Sequence, residues 1–152
     1  MGLNVNFLER VIHQFALDAD GIHGPEHWIR VYENGYRLAP VTGANAQVVM
    51  WFSVLHDCQR VNNSQDIDHG PRAAQYARKH WKEIDLDGTA FGLLVEAIAC
   101  HTRGCGPEAD VTVQTCLDAD RLDIGRTGYA VDPSYLYTEA AKLEARKARQ
   151  KR

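Results

Sequence analysis

The central feature of the sequence is Val48-Val49-Met50-Trp51-Phe52-Ser53-Val54-Leu55-His56-Asp57, an apolar run that ends in two polar side chains. A segment that is apolar nearly all round is typical of a central buried helix, although these residue types also suit a strand. A buried carboxylate costs free energy unless a cation or a network of donors compensates it. The pair His56-Asp57 therefore indicates a metal site at the end of a buried segment.

Two helices are predicted before this segment from the spacing of apolar residues. The first ends before Asp18, and its apolar positions are Leu8, Val11, Ile12 and Phe15. The second begins at Pro25, because proline suits the first turn of a helix, and it ends near Gly35 or Pro40. Its inward residues are Trp28, Val31 and Tyr32.

Four further helices are predicted after the central apolar segment. One starts near Asp68 and Pro71 and turns Ala73, Ala74, Ala77 and Trp81 inward. The next follows the break at Asp87-Gly88, and His101 continues its apolar stripe of Phe91, Leu94, Val95 and Ile98. The sixth helix carries Val113, Cys116, Leu117 and Asp120 on one face, and the last opens at Pro133 and runs through Leu136, Ala140 and Leu143.

The chain is therefore predicted to be an all-α bundle of about seven helices. Its 152 residues, with 45% hydrophobic and 24% charged, suit one domain spanning 1–152. The net charge is −3, but the basic helix end or tail 142–152 holds six Lys or Arg and one Glu, so the remaining body is acidic. An acidic body makes a broad nucleic-acid interface unfavourable.

No apolar run reaches the ~20 residues that a membrane helix needs, so no membrane partner is expected. The start Met1-Gly2-Leu3-Asn4 lacks a basic stretch and an apolar run, so we expect a cytoplasmic protein rather than a secreted one. The four cysteines lack paired metal-binding spacing, and we expect them to be reduced. Homo-oligomers are left open.

The order of the polar residues resembles the HD-domain metal-dependent phosphohydrolases from about His23 to Asp123. The resemblance rests on His27, then His56-Asp57, then Asp120 within Leu117-Asp118-Ala119-Asp120-Arg121-Leu122-Asp123. Two further segments are similar to the family: His23-Gly24-Pro25-Glu26-His27-Trp28-Ile29-Arg30-Val31 and Asp68-His69-Gly70-Pro71-Arg72-Ala73-Ala74. The resemblance implies a compact HD-type helical bundle with a catalytic metal centre.

The resemblance also implies the metal ligands. His27, His56, Asp57 and Asp120 would hold one divalent ion, which could be Mn, Co, Ni, Mg, Zn or Fe. Members with two ions use two further histidines, and His69 and His101 stand where these would be expected. One or two ions per chain are therefore expected, with Asp57 also orienting or deprotonating the attacking water.

Several basic residues are predicted beside this centre. Arg60 follows the His-Asp pair by three residues and would orient a phosphate, with Arg30 and Arg103 as further substrate-binding candidates. His23 is a further catalytic candidate that would support a ligand or face the phosphate, or it would only cap the helix. Surface positions are expected for His13 and His80.

Other acidic residues are given structural roles. Asp118 would support a ligand or lie on the helix surface, and Arg121 with Asp123 would form a pair outside the cleft. The long segment from Asp57 to Asp68 is predicted to be the mobile loop beside the site.

These features predict a phosphohydrolase that uses metal-activated water. Its substrate would be a phosphomonoester or phosphoanhydride of a small nucleotide or similar metabolite. Three alternatives remain at this point: a nuclease or phosphodiesterase, a di-iron oxygenase of HD type, and a non-catalytic HD domain that senses a ligand.

Overall fold

The computed structural model describes residues 3–151, which form seven α-helices and contain no strand. The helices are α1 Val5–Gln14, α2 Pro25–Thr42, α3 Ala46–Leu55, α4 His69–Lys79, α5 Gly88–Cys100, α6 Val111–Arg121 and α7 Glu139–Gln150. The all-α prediction is confirmed. The start Met1-Gly2 and the last residue of the predicted basic tail, Arg152, lie outside the described residues. The single-domain assignment stays a prediction.

Helix α3 lies at the centre and packs against α2, α5 and α6. Its N-terminus is capped by Asn45, whose Oδ1 accepts from the backbone N–H groups of Gln47 at 3.0 Å and Val48 at 3.3 Å. Because neighbours surround it, seven of its ten residues are buried, from Val48 to Leu55 with only Met50 partly exposed. An all-round apolar segment is thus a helix here, and its C-terminus delivers His56 and Asp57 to the core.

Helix α2 is longer than predicted, because it continues through Gly35 and Pro40 to Thr42. Gly35 is needed for packing, since a Cβ at that position would lie 2.1 Å from Val49 Cγ1 of α3. Close approach of the two helices outweighs the ~1 kcal/mol that glycine costs in a helix. The helix ends at Thr42, and the capping residue Gly43 has φ 80° and donates its N–H to Ala39 O. Tyr32, predicted inward, is 40% exposed.

Helix α4 ends before Trp81, so the prediction that this helix turns Trp81 inward is wrong. Trp81 begins a short 3-10 turn, Trp81–Glu83, and is 57% exposed. His80, predicted at the surface, is half-buried instead: its ring packs 4.5 Å from the Tyr76 ring and its Nδ1 bonds Glu83. At the end of α4, His80 therefore packs against Tyr76, whereas Trp81 had been expected to pack inward.

The last helix begins at Glu139 and not at Pro133, which opens a separate 3-10 turn, Pro133–Tyr135. Asp118 causes the break. Its carboxylate is fully buried and accepts three hydrogen bonds, from the N–H of Tyr137 and from the N–H and hydroxyl of Thr138, each at 2.8 Å. Thr138 in turn caps α7. Asp118 is therefore not a surface residue, and its carboxylate bonds the start of α7 instead of any predicted metal ligand.

No helix within residues 3–151 is both long enough and apolar enough to cross a membrane.

Candidate metal centre

Six polar side chains from five helices meet in the core, and all six are predicted ligands. His27 lies on α2, His56-Asp57 follow α3, and the other three are His69 at the start of α4, His101 just after α5, and Asp120 on α6. The four histidines and Asp57 are at most 5% exposed, and the side chain of Asp120 is 17% exposed. Burial of so many ionisable groups requires a compensating charge inside the cluster.

The first half of the cluster is formed by His27, His56, Asp57 and Asp120. The Nε2 atoms of His27 and His56 are 3.1 Å apart, and Asp57 Oδ2 is 3.5 Å from each. Asp120 Oδ1 is 3.2 Å from His27 Nε2 and 3.6 Å from His56 Nε2. Two ligand atoms that each lie ~2.1 Å from one ion are about 3.0 Å apart when the ligand–ion–ligand angle is a right angle. They are about 3.4 Å apart when that angle is tetrahedral. Asp57 Oδ2 and Asp120 Oδ1 therefore each lie from the two histidine nitrogens at the spacing expected for ligands of one ion.

The second half of the cluster uses the other oxygen of Asp57. The Nε2 atoms of His69 and His101 are 2.8 Å apart, and Asp57 Oδ1 lies 3.0 Å from the first and 3.6 Å from the second. His27, His56 and Asp57 form one buried group that could hold a metal ion, and Asp57, His69 and His101 form another. Asp57 therefore presents one oxygen to each half.

The hydrogen bonds of the outer ring nitrogens decide which atoms face the centre. Each of the four histidines directs Nδ1 at an oxygen acceptor, so Nδ1 carries a hydrogen and Nε2 presents its lone pair whenever the ring is neutral. The acceptors are Asp123 Oδ2 for His27 at 2.7 Å, Phe52 O and Ser53 O for His56 at 3.1 Å, Asp66 O for His69, and Ile98 O for His101 at 2.7 Å. Two neighbouring Nε2 lone pairs repel each other unless a proton or a metal ion lies between them. The Nε2 atoms of the four histidines are therefore suited to bind metal ions.

The pKa values of Asp57 and His56 favour the protonation states that bind a cation. Burial lowers the pKa of His56 to about 4, which leaves its ring neutral at neutral pH. Burial works to raise the pKa of Asp57, but the surrounding histidines, His56 foremost, hold that pKa well below its ordinary value. Burial also lowers the pKa of His27, yet hydrogen bonds with Asp120 and Asp123 outweigh this and raise it. A proton on His27 would have to leave when a metal binds.

Asp123 is a partner of the centre that sequence reasoning placed elsewhere. Its Oδ2 accepts from His27 Nδ1, and its Oδ1 accepts from Arg30 Nε at 2.8 Å. The predicted pair of Arg121 with Asp123 is wrong, because Arg121 donates to Tyr135 O and stacks over the Tyr137 ring. Asp123 follows Asp120 by three residues, but α6 ends at Arg121, so helical spacing alone did not assign it to this side of the centre.

A cavity of about 230 Å³ opens over both halves of the cluster. It is lined by Asp57, Arg60, His69, His101, Thr102, Asp120, Arg121, Ile124 and Arg126. Arg60 donates from Nε to Asp57 Oδ1 at 3.2 Å. Arg126 donates to Ile22 O and Asp123 O, and its Nη2 lies 4.0 Å from Asp120 Oδ1. Two guanidinium groups thus flank the cluster, and no motif in the sequence had pointed to Arg126.

The remaining predicted site residues lie further out. His23 is buried, with Nδ1 3.1 Å from Asp57 Oδ2, so it supports that ligand. Arg30 is engaged with Asp123, and Arg103 is 69% exposed with Nη2 3.7 Å from Asp68. Neither Arg30 nor Arg103 lines the cavity, and their substrate roles stay predictions.

The segment between Asp57 and Asp68 is held by internal bonds. Asp66 Oδ2 accepts from the N–H of Val61 at 2.9 Å and from Arg72 Nη2 at 2.6 Å. Arg72 also donates to Gln59 O at 3.0 Å. These bonds tie both ends of the segment to α4 and place Arg60 over the cluster.

No protein-family model matches this sequence, and no curated protein matches it significantly. A solved structure is similar: the crystal structure of a predicted HD superfamily hydrolase from an uncultured Thermotogales bacterium. The TM-score is 0.77 at 23% sequence identity, and the alignment covers 97% of this chain and 86% of that one. The chain therefore has the fold of that HD superfamily hydrolase, and its core holds a cluster of four histidines with Asp57, which Asp120 contacts.

Proposed function

We propose that the protein is a metal-dependent phosphohydrolase that cleaves a phosphomonoester or phosphoanhydride of a small nucleotide-like metabolite. The observation that carries this proposal is the arrangement around Asp57, whose two oxygens face two separate pairs of histidine Nε2 atoms. A carboxylate shared in this way suits a centre with two ions, which is a common design for phosphoryl transfer.

His27, His56, Asp120 and Asp57 Oδ2 would hold one ion, and His69, His101 and Asp57 Oδ1 would hold the other. Four imidazoles favour Mn, Fe, Co, Ni or Zn over Mg, which prefers oxygen ligands. When bound, such ions polarise a phosphoryl oxygen and lower the pKa of water enough to provide a nucleophile near neutral pH.

The protein's own groups would bind and orient the phosphate. Arg60 and Arg126 line the cavity on either side of the cluster, and each side chain is only 11% exposed. Their other guanidinium nitrogens are bonded to protein oxygens, whereas neither Nη2 donates a hydrogen bond to any of residues 3–151. Both groups can therefore donate to phosphate oxygens without giving up a bond.

His23 and Asp123 would hold ligands in position. His23 bonds Asp57 Oδ2, and Asp123 fixes the ring of His27 through its Nδ1 hydrogen. The acidic body of the chain and the small cavity support a small substrate over a nucleic-acid polymer.

The test is to strip the protein of metal, refill it singly with Mn, Co, Ni, Zn, Fe or Mg, and assay phosphate release from a panel of phosphate esters and anhydrides. We expect turnover with at least one ion. Asp57→Asn should lower turnover at least about a hundredfold, because both ligand sets lose the charge of the carboxylate that they share. The matched control is Asp68→Asn, since Asp68 is an exposed aspartate outside the cluster.

Two results would overturn the proposal. One is the absence of phosphate release with every ion, and the other is near-normal turnover in folded Asp57→Asn. Dioxygen consumption by the iron-loaded protein without phosphate release would instead support the oxygenase alternative.

A further inference from the structure

A second cavity of about 510 Å³ lies beside the metal centre. The segment between α6 and α7 forms most of its wall, and Arg149 of α7 completes the lining. Arg121 and Ile124 line this cavity and also the smaller cavity over the cluster. The two spaces are therefore adjacent, with Arg121 and Ile124 at their common boundary.

The lining of this cavity suits a flat ring. Tyr129 and Tyr135 line it and are 73% and 71% exposed, so most of each side chain is accessible to a ligand. Val131 and Leu136 provide apolar surface between them. Such a mixture of aromatic and aliphatic surface binds planar groups by stacking and by removal of water.

Two guanidinium groups shape the cavity. Arg121 donates to Tyr135 O and Arg149 donates from Nε to Val131 O at 3.0 Å, so both anchor the wall segment. Within the described residues neither forms an ion pair, and Asp132 is the one carboxylate among the lining residues.

We propose that this second cavity binds the aromatic ring of the substrate's organic group while the phosphate lies at the cluster. The inference rests on the proposed function and specifies its substrate class: a phosphate ester or anhydride with a planar aromatic group. In the reaction the oxygen of water bonds to phosphorus and the bond from phosphorus to the bridging oxygen breaks. The bridging oxygen leaves with the ring-bearing group and takes up a proton.

The experiment measures binding, so it does not depend on turnover. Metal-loaded protein is titrated by calorimetry with benzylphosphonate and with methylphosphonate, which share the phosphorus group and differ in the ring. Wild type should bind benzylphosphonate more tightly, and Tyr135→Ala or Tyr129→Ala should reduce that preference about tenfold. Tyr36→Ala is the matched control, because Tyr36 is 68% exposed on α2 and lines neither cavity.

A third titration with a nucleoside 5′-phosphonate distinguishes a nucleobase from a simple phenyl ring as the preferred group. Equal affinity for the benzyl and methyl ligands, unchanged in both tyrosine variants, would overturn the inference and leave the proposed function standing. Failure of every phosphonate to bind the metal-loaded protein would overturn the proposed function, and the inference with it.

Discussion

Asp123→Asn tests whether hydrogen bonds outside the ligand set control metal affinity. The Asp123 carboxylate accepts from His27 Nδ1 at 2.7 Å and from Arg30 Nε at 2.8 Å. The Arg30 and His27 contacts also hold the pKa of Asp123 below its ordinary value, although burial opposes this. The substitution keeps the shape of the side chain and removes its charge. His27 then loses the anionic partner that increases the basicity of its Nε2.

The expected size of the effect follows from this single contact. Loss of a carboxylate that bonds a ligating histidine typically weakens metal binding ~10- to 100-fold, which corresponds to about 1.4 to 2.7 kcal/mol. The loss should fall on one ion only, because Asp123 contacts His27 and does not contact His69 or His101. The second ligand set keeps all of its own hydrogen bonds.

The assay is a competitive titration with a chelator, which reports the affinity of each ion separately. We expect the affinity of one ion to fall and that of the other to stay within about twofold. Asp85→Asn is the control, since Asp85 is exposed and distant in sequence from every ligand. Equal weakening of both ions would show that the two ligand sets are not separate. Unchanged affinity for both would remove Asp123 from the centre.

Three further outcomes are expected. His69→Ala or His101→Ala should lower the metal count from two ions per chain to one. The control His13→Ala should not change the count, because His13 is exposed. A wild-type count of one at saturating metal would contradict the shared role of Asp57. Arg60→Ala should raise KM about tenfold with little change in melting temperature. Arg78→Ala is the control, because Arg78 is exposed. A large loss of stability with normal kinetics would show that the role of Arg60 is structural. Asp118→Ala should cost about 3 kcal/mol of unfolding free energy, measured by denaturant, because three donors lose their acceptor; a cost below about 1 kcal/mol would refute this account.

Local pattern in the sequence was sufficient to predict that the helices exist, whereas the set of clustered residues followed from the family resemblance. The apolar run into His56-Asp57 predicted a buried helix that ends at a polar centre, and α3 has that form. The stripe of α5 predicted that His101 faces inward, and it is 5% exposed. Period and burial are properties of one segment at a time, so they can be read without knowledge of its neighbours.

The tertiary structure decided the features that depend on contacts between distant segments. Gly35 and Pro40 look like helix ends by local preference, yet α2 continues through them because Gly35 packs against Val49. Asp123 could be assigned to His27, and Arg126 to the cavity, only after α2 and the segment after α6 were brought together. The same holds for Asp57, whose two oxygens face different histidine pairs from four helices. No spacing in one dimension encodes that arrangement, because packing in three dimensions fixes the direction of each side chain.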